Sequence, residues 1–459
     1  MGRALINGQV SHWWSGLDRP VRRALAGDAR ADVVIVGGGY TGLWTAYHLA
    51  LAHPALDIRV LEQRHVGFGA SGRNGGWLTN SITGGRGVWE KSHGREAVQK
   101  FQHTMNATVD AVIAVAEAEG IDADIVKGGE LNVARNAAQA ERLEAWFAEE
   151  SAWDGTDAQL LDAAATRDRL AVAGATGSMW HPHCARIQPA KLVLGLAEAV
   201  ERRGVTIHES TRVERIEPGL VTTEHGSVTA PVVLRATEGF TAQLPGLRRS
   251  WLPMNSSIIV TEPLPAAVWD EIGWSGRETL GDLAHAYMYA QRTADDRIAI
   301  GGRGNPYRFA SRTEADGLTG SGTVEALIEI LHDFFPATQH AAIAHAWSGV
   351  LGVPRDWRPT VSYDKQTGLG WAGGYVGTGV ATTHLAGRTL ADLVTGQDSD
   401  VTDLPWVQHS VRRWEPEPFR WIGVQAMYAA YRTADRREAA SLQRTSAIAR
   451  MADRISGRH

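Results

Sequence analysis

The 459-residue sequence predicts an α/β chain, α+β overall, on three observations. A strand, a glycine-rich turn and a helix follow one another from Val33, and a second such unit stands at 368–394. Between them, residues 250–310 alternate apolar and polar in short runs, the pattern of an antiparallel sheet. Strand–helix units at both ends with mixed β sequence between them predict a nucleotide-binding domain assembled from discontinuous segments. The length allows two domains. Hydrophobic content of 44% and charged content of 21% are those of a soluble globular protein, and a net charge of −5 argues against a general polyanion binder.

Taken in order, residues 1–30 read as an irregular arm carrying Trp13 and Trp14. They mix arginines and acids with no apolar run, so no signal peptide is expected. "VVIVGGGYTGLWTAYHLALA" (33–52) has no full charge and is long enough to cross a bilayer. Three consecutive glycines interrupt it, so it reads instead as a buried strand, a turn and a helix, and no transmembrane segment is expected. "DIRVLE" (57–62) is a second strand, and "GFGASGRNGG" (67–76) follows. From Val98 to Ala116 apolar residues recur at steps of three and four, one face of a long helix. "GGELNVAR" (128–135) reads as a strand and 137–150 as a helix. "PAKLVLGLAEAVERRGVTIHES" (189–210) is a helix opened by proline and closed by Gly204, then a strand; "APVVLRATEG" (230–239) is a buried strand, and 324–335 is helical.

Gly37, Gly39 and Gly42 form G-x-G-x-x-G directly after a strand and at the start of a helix. The first permits the tight turn, the second lets the backbone approach a pyrophosphate, and the third lets helix and strand pack closely. The helix N-terminus supplies N–H groups and a positive dipole end. Glu62 stands twenty residues beyond Gly42, at the end of the second strand, where an acid accepts both ribose hydroxyls. Its charge repels a 2′-phosphate, which argues against NADP.

The segments 33–49, "LEQRHVGFGASGRNGG" (61–76), 185–193, 207–216, 232–239, "TEPL" (261–264), 373–394 and "RRWEPEPFRWIGV" (412–424) resemble the D-amino-acid oxidase and glycine oxidase superfamily of FAD-dependent oxidoreductases, and within it the γ-glutamylputrescine-oxidase-like amine oxidoreductases. The resemblance implies a Rossmann-like FAD-binding domain from 30–85, 150–240 and 340–400, a substrate domain with an antiparallel sheet from 86–149 and 241–339, and a helical C-terminal extension over 401–459. It implies FAD contacts from Tyr40, Thr41 and Gln63, from Gly69, Ala70, Ser71, Asn74, Gly75 and Gly76 along the pyrophosphate and ring, and from Arg73 as a balancing charge. Val213 matches the position that meets adenine, and Ala236, Thr237 and Gly349 border the cofactor. Gly377, Thr378, Gly379, Val380 and Ala381 match the loop and helix start that stabilise negative charge beside the flavin carbonyl. Trp77 and Trp347 are expected to border the ring. The flavin is expected to be held non-covalently, since Cys184 lies in the middle of the chain and Arg73 stands where some relatives carry a linking histidine.

The expected reaction is oxidation of a C–N bond in an amine or amino acid by hydride transfer to flavin N5, giving an imine that hydrolyses, with electrons passed to oxygen, giving peroxide, or to another acceptor. Tyr287 and Tyr289, on one face of a strand, with Trp77, Met254 and Arg355, are the candidates for the substrate face. "HPHC" (181–184) lacks the further ligands that zinc requires, so no metal is expected. No G-x-S-x-G is present, so no hydrolase elbow is expected. The substrate-domain strands contain no lysine, which argues against oxygen activation by that residue and leaves a dehydrogenase serving a quinone or protein partner as an alternative. A second alternative is an FAD-containing tRNA-modifying protein. The tail 411–459 holds ten arginines against five acids, but with the acids interspersed and no RNA-binding motif it reads as a packed, solvated helix and not as a nucleic-acid contact. A single cysteine fits the cytoplasm.

Overall fold

Val33–Val36 is buried on both faces, as its unbroken apolar run requires, and lies within a six-stranded sheet. In a computed structural model that describes residues 5–302, 304, 306–440 and 444–456, the order across this sheet is Thr206–His208, Ile58–Leu61, Val33–Val36, Val232–Arg235, Leu369–Gly373, Thr360–Asp364. Every neighbouring pair is parallel except the last. Parallel neighbours require long crossovers, and helix Tyr40–Ala52 leads out of the first strand. It packs between Pro189–Arg202 and Gly379–Thr395. A Cβ on Gly387 would lie 2.7 Å from the Thr45 backbone nitrogen, so glycine there allows the two helices their close crossing.

A nine-stranded sheet stands beside it, in the order Ile6–Asn7, Ile343–Val353, Leu252–Thr261, Ile298–Gly302, Tyr289–Arg292, Thr279–Asp282, Glu130–Ala134, Gly177–His181, Gln159–Asp162. It is antiparallel but for its first pair and the pairing of Thr279–Asp282 with Glu130–Ala134. The domain boundaries expected at 150 and 340 therefore cut through this sheet. Ile343–Val353 pairs along Leu252–Thr261, and 159–181 joins Glu130–Ala134, while helix Arg95–Ala118 from the expected substrate segment buries Val98, Phe101, Met105 and Val109 in the core around the six-stranded sheet. Strand partnership between separated parts of the chain leaves no local mark in sequence. The N-terminal arm is likewise less irregular than expected: Ile6–Asn7 edges the large sheet, and Ala29–Arg30 joins a four-stranded sheet with 213–229.

The C-terminal extension is helical over Phe419–Ala440 and Ala447–Ser456. Val424, Tyr428 and Tyr431 of the first helix are buried, Trp421 is exposed, and Arg420 is buried with bonds to the Ser311 hydroxyl and the Glu417 carboxylate, both 3.1 Å. Among the described residues no helix is long and apolar enough to cross a membrane.

His48 and His384 meet where the 40–52 and 379–395 helices cross, with ring centroids 4.9 Å apart. Burial lowers the His48 pKa to about 4 and that of His384 well below its ordinary value. Both are neutral when folded and take up protons when unfolded below pH ~6.5, so their contribution is complete above that pH and is lost as pH falls toward about 4. Burial raises Glu62, Glu238 and Asp282, which act with the opposite sign. The variant His48→Gln isolates the histidine contribution. Its urea midpoint is expected to change less between pH 7 and pH 5 than that of the wild type, and equal changes would refute the assignment.

Candidate active site

The turn after Val36 shows why its glycines are required. Gly37 has φ +114°, and a Cβ there would lie 2.5 Å from the Ala236 carbonyl oxygen. A Cβ on Gly39 would lie 2.9 Å from Ser71 Oγ, and one on Gly42 would overlap the Gly37 carbonyl oxygen. The helix begins after Gly39 with no side-chain cap, and the Tyr40 N–H is taken by Ser71 Oγ at 2.8 Å. This helix end opens on a cavity of about 350 Å³. Glu62, half-buried on its wall, accepts from the N–H groups of Gly38 (2.8 Å) and Arg64 (2.9 Å) and keeps further lone pairs. Burial pushes its pKa above the ordinary carboxylate value, against the pull of those N–H groups.

The cavity gathers expected residues from distant parts of the chain. The turn gives Gly37, Gly39, Tyr40 and Thr41, and the second strand gives Glu62 and Gln63. The glycine-rich run gives Gly69, Ala70, Ser71 and Asn74, with Val213, Ala236 and Thr237 from the adjoining strands. Gly377, Gly379 and Val380 close it. Gly42 serves the helix–strand contact, and Ala381 is buried within helix Gly379–Thr395.

A second cavity of about 720 Å³ joins the first along Ala70, Asn74, Leu351, Gly377 and Val380, which line both. Gly75, Gly349 and Thr378 line this second space, as do Trp77, Tyr287 and Tyr289. A Cβ on Gly75 would come 2.7 Å from the Tyr289 ring, whose hydroxyl lies 2.8 Å from Ser256 Oγ. The helix at Gly379–Thr395 starts without a side-chain cap, with Thr378 Oγ1 bonded to Thr83 Oγ1 at 2.6 Å.

Several expected residues are placed otherwise. Arg73 is 2% exposed, and its guanidinium donates to the carbonyls of Phe68 (2.7 Å), Ser348 (3.2 Å) and Ala315 (2.7 Å). Burial lowers its pKa to about 10, so it stays charged at neutral pH. It borders the second cavity with its guanidinium engaged on these carbonyls. Trp347 lines neither cavity; it is fully buried beside Trp13 and donates from Nε1 to the Arg73 carbonyl at 2.9 Å. Gly76, with φ +74°, lines neither and packs on the Gln291 side chain. Met254 lies 3.2 Å from the Tyr428 hydroxyl beneath the C-terminal helix, and Arg355 pairs with Glu415 at 3.1 Å, so neither lines the second cavity.

The structure adds residues that sequence reasoning passed over. Glu238, on the first cavity, accepts from the N–H groups of Gly374 (3.1 Å) and Tyr375 (3.3 Å), and burial pushes its pKa up to about 7. It holds the second glycine turn in place. Glu130, Asn132 and His181 line the second cavity. The "HPHC" stretch was the signal for His181, but its members part company. His183 pairs with Asp157 at 2.7 Å, and Cys184 is buried 3.2 Å from Thr279 Oγ1. Among the described residues, the one group with metal-like spacing is His285, Asp435 and Glu438. Its atoms are engaged in clamping the C-terminal helix: Asp435 accepts from the backbone of His285 and Ala286, and Glu438 accepts from His285 and Ser446.

Comparison with known proteins finds the family described as FAD dependent oxidoreductase matching residues 32–393. The chain is 33% identical to gamma-glutamylputrescine oxidoreductase of Escherichia coli (strain K12) over 370 residues, 80% of this chain and 84% of that protein. It is 28% identical to the probable oxidoreductase OrdL of Rhizobium meliloti (strain 1021), covering 84% of this chain and 87% of the other. Among solved structures, glycine oxidase from Geobacillus kaustophilus superposes with a TM-score of 0.68 at 22% identity, covering 83% of this chain and all of that one, a likeness of fold.

Proposed function

The chain belongs to the FAD dependent oxidoreductase family, and from that premise we propose that it oxidises the C–N bond of an amine or amino acid where its two cavities meet. The cofactor is FAD. The residues present fit it: the glycine turn leaves room for a pyrophosphate at an uncapped helix end, Glu62 offers a carboxylate to the ribose, and the cavity continues toward a second uncapped helix end at Gly379. Neither histidine nor cysteine lines the first cavity among the described residues, which supports non-covalent attachment.

When bound, the flavin supplies an acceptor for the hydride that leaves the carbon beside nitrogen. The protein's own part is to hold that carbon in place, exclude water and keep the nitrogen unprotonated. Trp77, Tyr287 and Tyr289 give an aromatic wall, and the Ser256 hydroxyl fixes the Tyr289 ring. The imine product leaves and is hydrolysed by water.

The observation that carries this reading is the junction itself, a dinucleotide cradle opening on an aromatic-walled space of about 720 Å³. That volume suits an extended amine, and the name of the Escherichia coli relative supports trying primary amines on long chains first. Electrons pass to oxygen, giving peroxide, or to a quinone or protein carrier. The ligand is a small molecule and not a nucleic acid, and the lone buried Cys184 fits the cytoplasm.

An anaerobic titration tests the reaction. A panel of primary amines, secondary amines and amino acids is expected to include one that removes the ~450 nm flavin band, and the rate should rise with pH as the bound nitrogen deprotonates. Bleaching by NADH or NADPH, with none by the panel, would overturn the proposal. Peroxide detection beside a dye-reduction assay assigns the electron acceptor.

A further inference from the structure

The second cavity contains a polar group that the reading above leaves unused. Glu130 and His181 are directly opposite one another on neighbouring strands, and both line the cavity. Glu130 is 6% exposed. One of its oxygens accepts from Asn132 Nδ2 at 2.9 Å; the other accepts from Thr79 Oγ1 at 2.9 Å and faces His181 Nε2 at 3.6 Å. Burial raises the Glu130 pKa, but the imidazole and the two hydrogen bonds outweigh it, and the carboxyl is held below its ordinary value. An ionised carboxylate facing Nε2 favours the tautomer with the proton on Nε2 and a bare lone pair on Nδ1. His181 is 9% exposed, and Nδ1 is buried with no hydrogen-bond partner among the described residues. A buried polar atom without a partner has a cost, and a ligand donor would remove it.

We propose that His181 Nδ1 receives the proton of the substrate ammonium, with Glu130 as the positioning residue that sets the tautomer. The inference rests on the amine reading above. In the step, one N–H bond of the ammonium breaks and one N–H bond forms at Nδ1. The electron pair stays on the substrate nitrogen, and the positive charge passes to an imidazolium facing the Glu130 carboxylate. The amine then has the free pair that oxidation at its carbon requires. The arrangement is a base oriented by a carboxylate.

The other ionisable groups around His181 are already engaged or neutral. His183, with its ring centroid 6.5 Å away, pairs with Asp157, and burial holds the Cys184 thiol protonated. Asp282, on the strand beside Glu130, is raised to about 7 by burial and accepts from the Met288 N–H at 3.0 Å. Farther round the wall, Arg142 pairs with Glu438 and Arg86 with Glu150.

The test uses holoenzyme and the amine from the panel that reduces the flavin fastest, followed anaerobically by stopped flow from pH 6 to pH 10. His181→Gln should lose ~100-fold or more in reduction rate at pH 7, recover most of it near pH 10, and thus show its limb moved toward the free amine's own pKa. Added imidazole should restore part of the rate in His181→Ala at pH 7. Glu130→Gln should move the limb in the same direction by less. In ¹⁵N spectra of histidine-labelled holoenzyme, assigned by the signal missing from the variant, His181 should show a bare Nδ1 and a protonated Nε2. A rate loss equal at every pH, an unmoved limb, no imidazole rescue, or a protonated Nδ1 overturns the proposal and leaves amine oxidation standing. If no panel amine reduces the wild-type flavin, both fall. Flavin content at 450 nm establishes that each variant is folded, and should His181→Gln lose flavin, Glu130→Gln and the ¹⁵N tautomer decide.

Discussion

Arg73→Met is expected to destabilise the protein by ~3 kcal/mol or more and to lower its FAD content. The estimate follows from what the guanidinium holds. Three carbonyls from three parts of the chain, Phe68, Ala315 and Ser348, accept its N–H groups in a site 2% exposed. Removing the donors leaves the buried Phe68 and Ser348 oxygens unsatisfied, at ~1–3 kcal/mol apiece before relaxation. The same side chain lies over the Phe68 ring at 4.4 Å, a contact that methionine replaces only as packing. Because Phe68 and Arg73 lie within the glycine-rich run, its path is tied to the strand carrying Ser348. Arg73→Lys should fail as well, since one ammonium cannot fork among three carbonyls in different directions. Urea denaturation and the ratio of 450 nm to 280 nm absorbance read the two effects. A methionine variant within ~0.5 kcal/mol of wild type, fully loaded with FAD, would refute the staple.

Arg73 also marks where sequence reading stopped. An arginine inside a glycine-rich run beside a dinucleotide turn suggests charge balance, and nothing local reveals that its partners are carbonyls as far away as Ser348. Features written within one turn of chain were legible. The spacing of Gly37, Gly39 and Gly42 fixes strand, turn and helix, because a Cβ at each would meet nearby atoms. Tyr289 and Trp77 reach the second cavity from strands Tyr289–Arg292 and Trp77–Thr79, whereas Tyr287, expected on the same strand face as Tyr289, lines the cavity from the segment before that strand. Met254 and Arg355 failed as candidates because the C-terminal segment covers them, through Tyr428 and Glu415. The Glu130–His181 pair was hidden for a related reason. The two residues are far apart in sequence and become neighbours only through strand pairing, so His181 showed itself only as part of an apparent metal motif.

Glu62→Ala is expected to weaken FAD binding by ~1.5–3 kcal/mol, the usual worth of a hydrogen bond to a charged group, or about tenfold to 150-fold in Kd. The side chain has two employments that must be separated. It accepts from the N–H groups of Gly38 and Arg64, which shapes the turn, and it presents its remaining lone pairs to the cavity. Comparing FAD with FMN separates them, because FMN lacks the AMP ribose and keeps the isoalloxazine ring. If Glu62 acts on the ribose, the alanine variant loses affinity for FAD and keeps its affinity for FMN. An equal loss for both would mean that the turn had collapsed and that the carboxylate is structural. Burial raises the Glu62 pKa, so the charged acceptor is lost sooner on acidification than an exposed glutamate would be. FAD affinity of the wild type should therefore fall as pH drops through that raised value. In Glu62→Gln, which keeps an uncharged acceptor and cannot titrate, affinity should be lower at pH 8 and flatter with pH. A wild-type FAD affinity that does not change on acidification, or a glutamine variant with the wild-type slope, would remove Glu62 from the cofactor site.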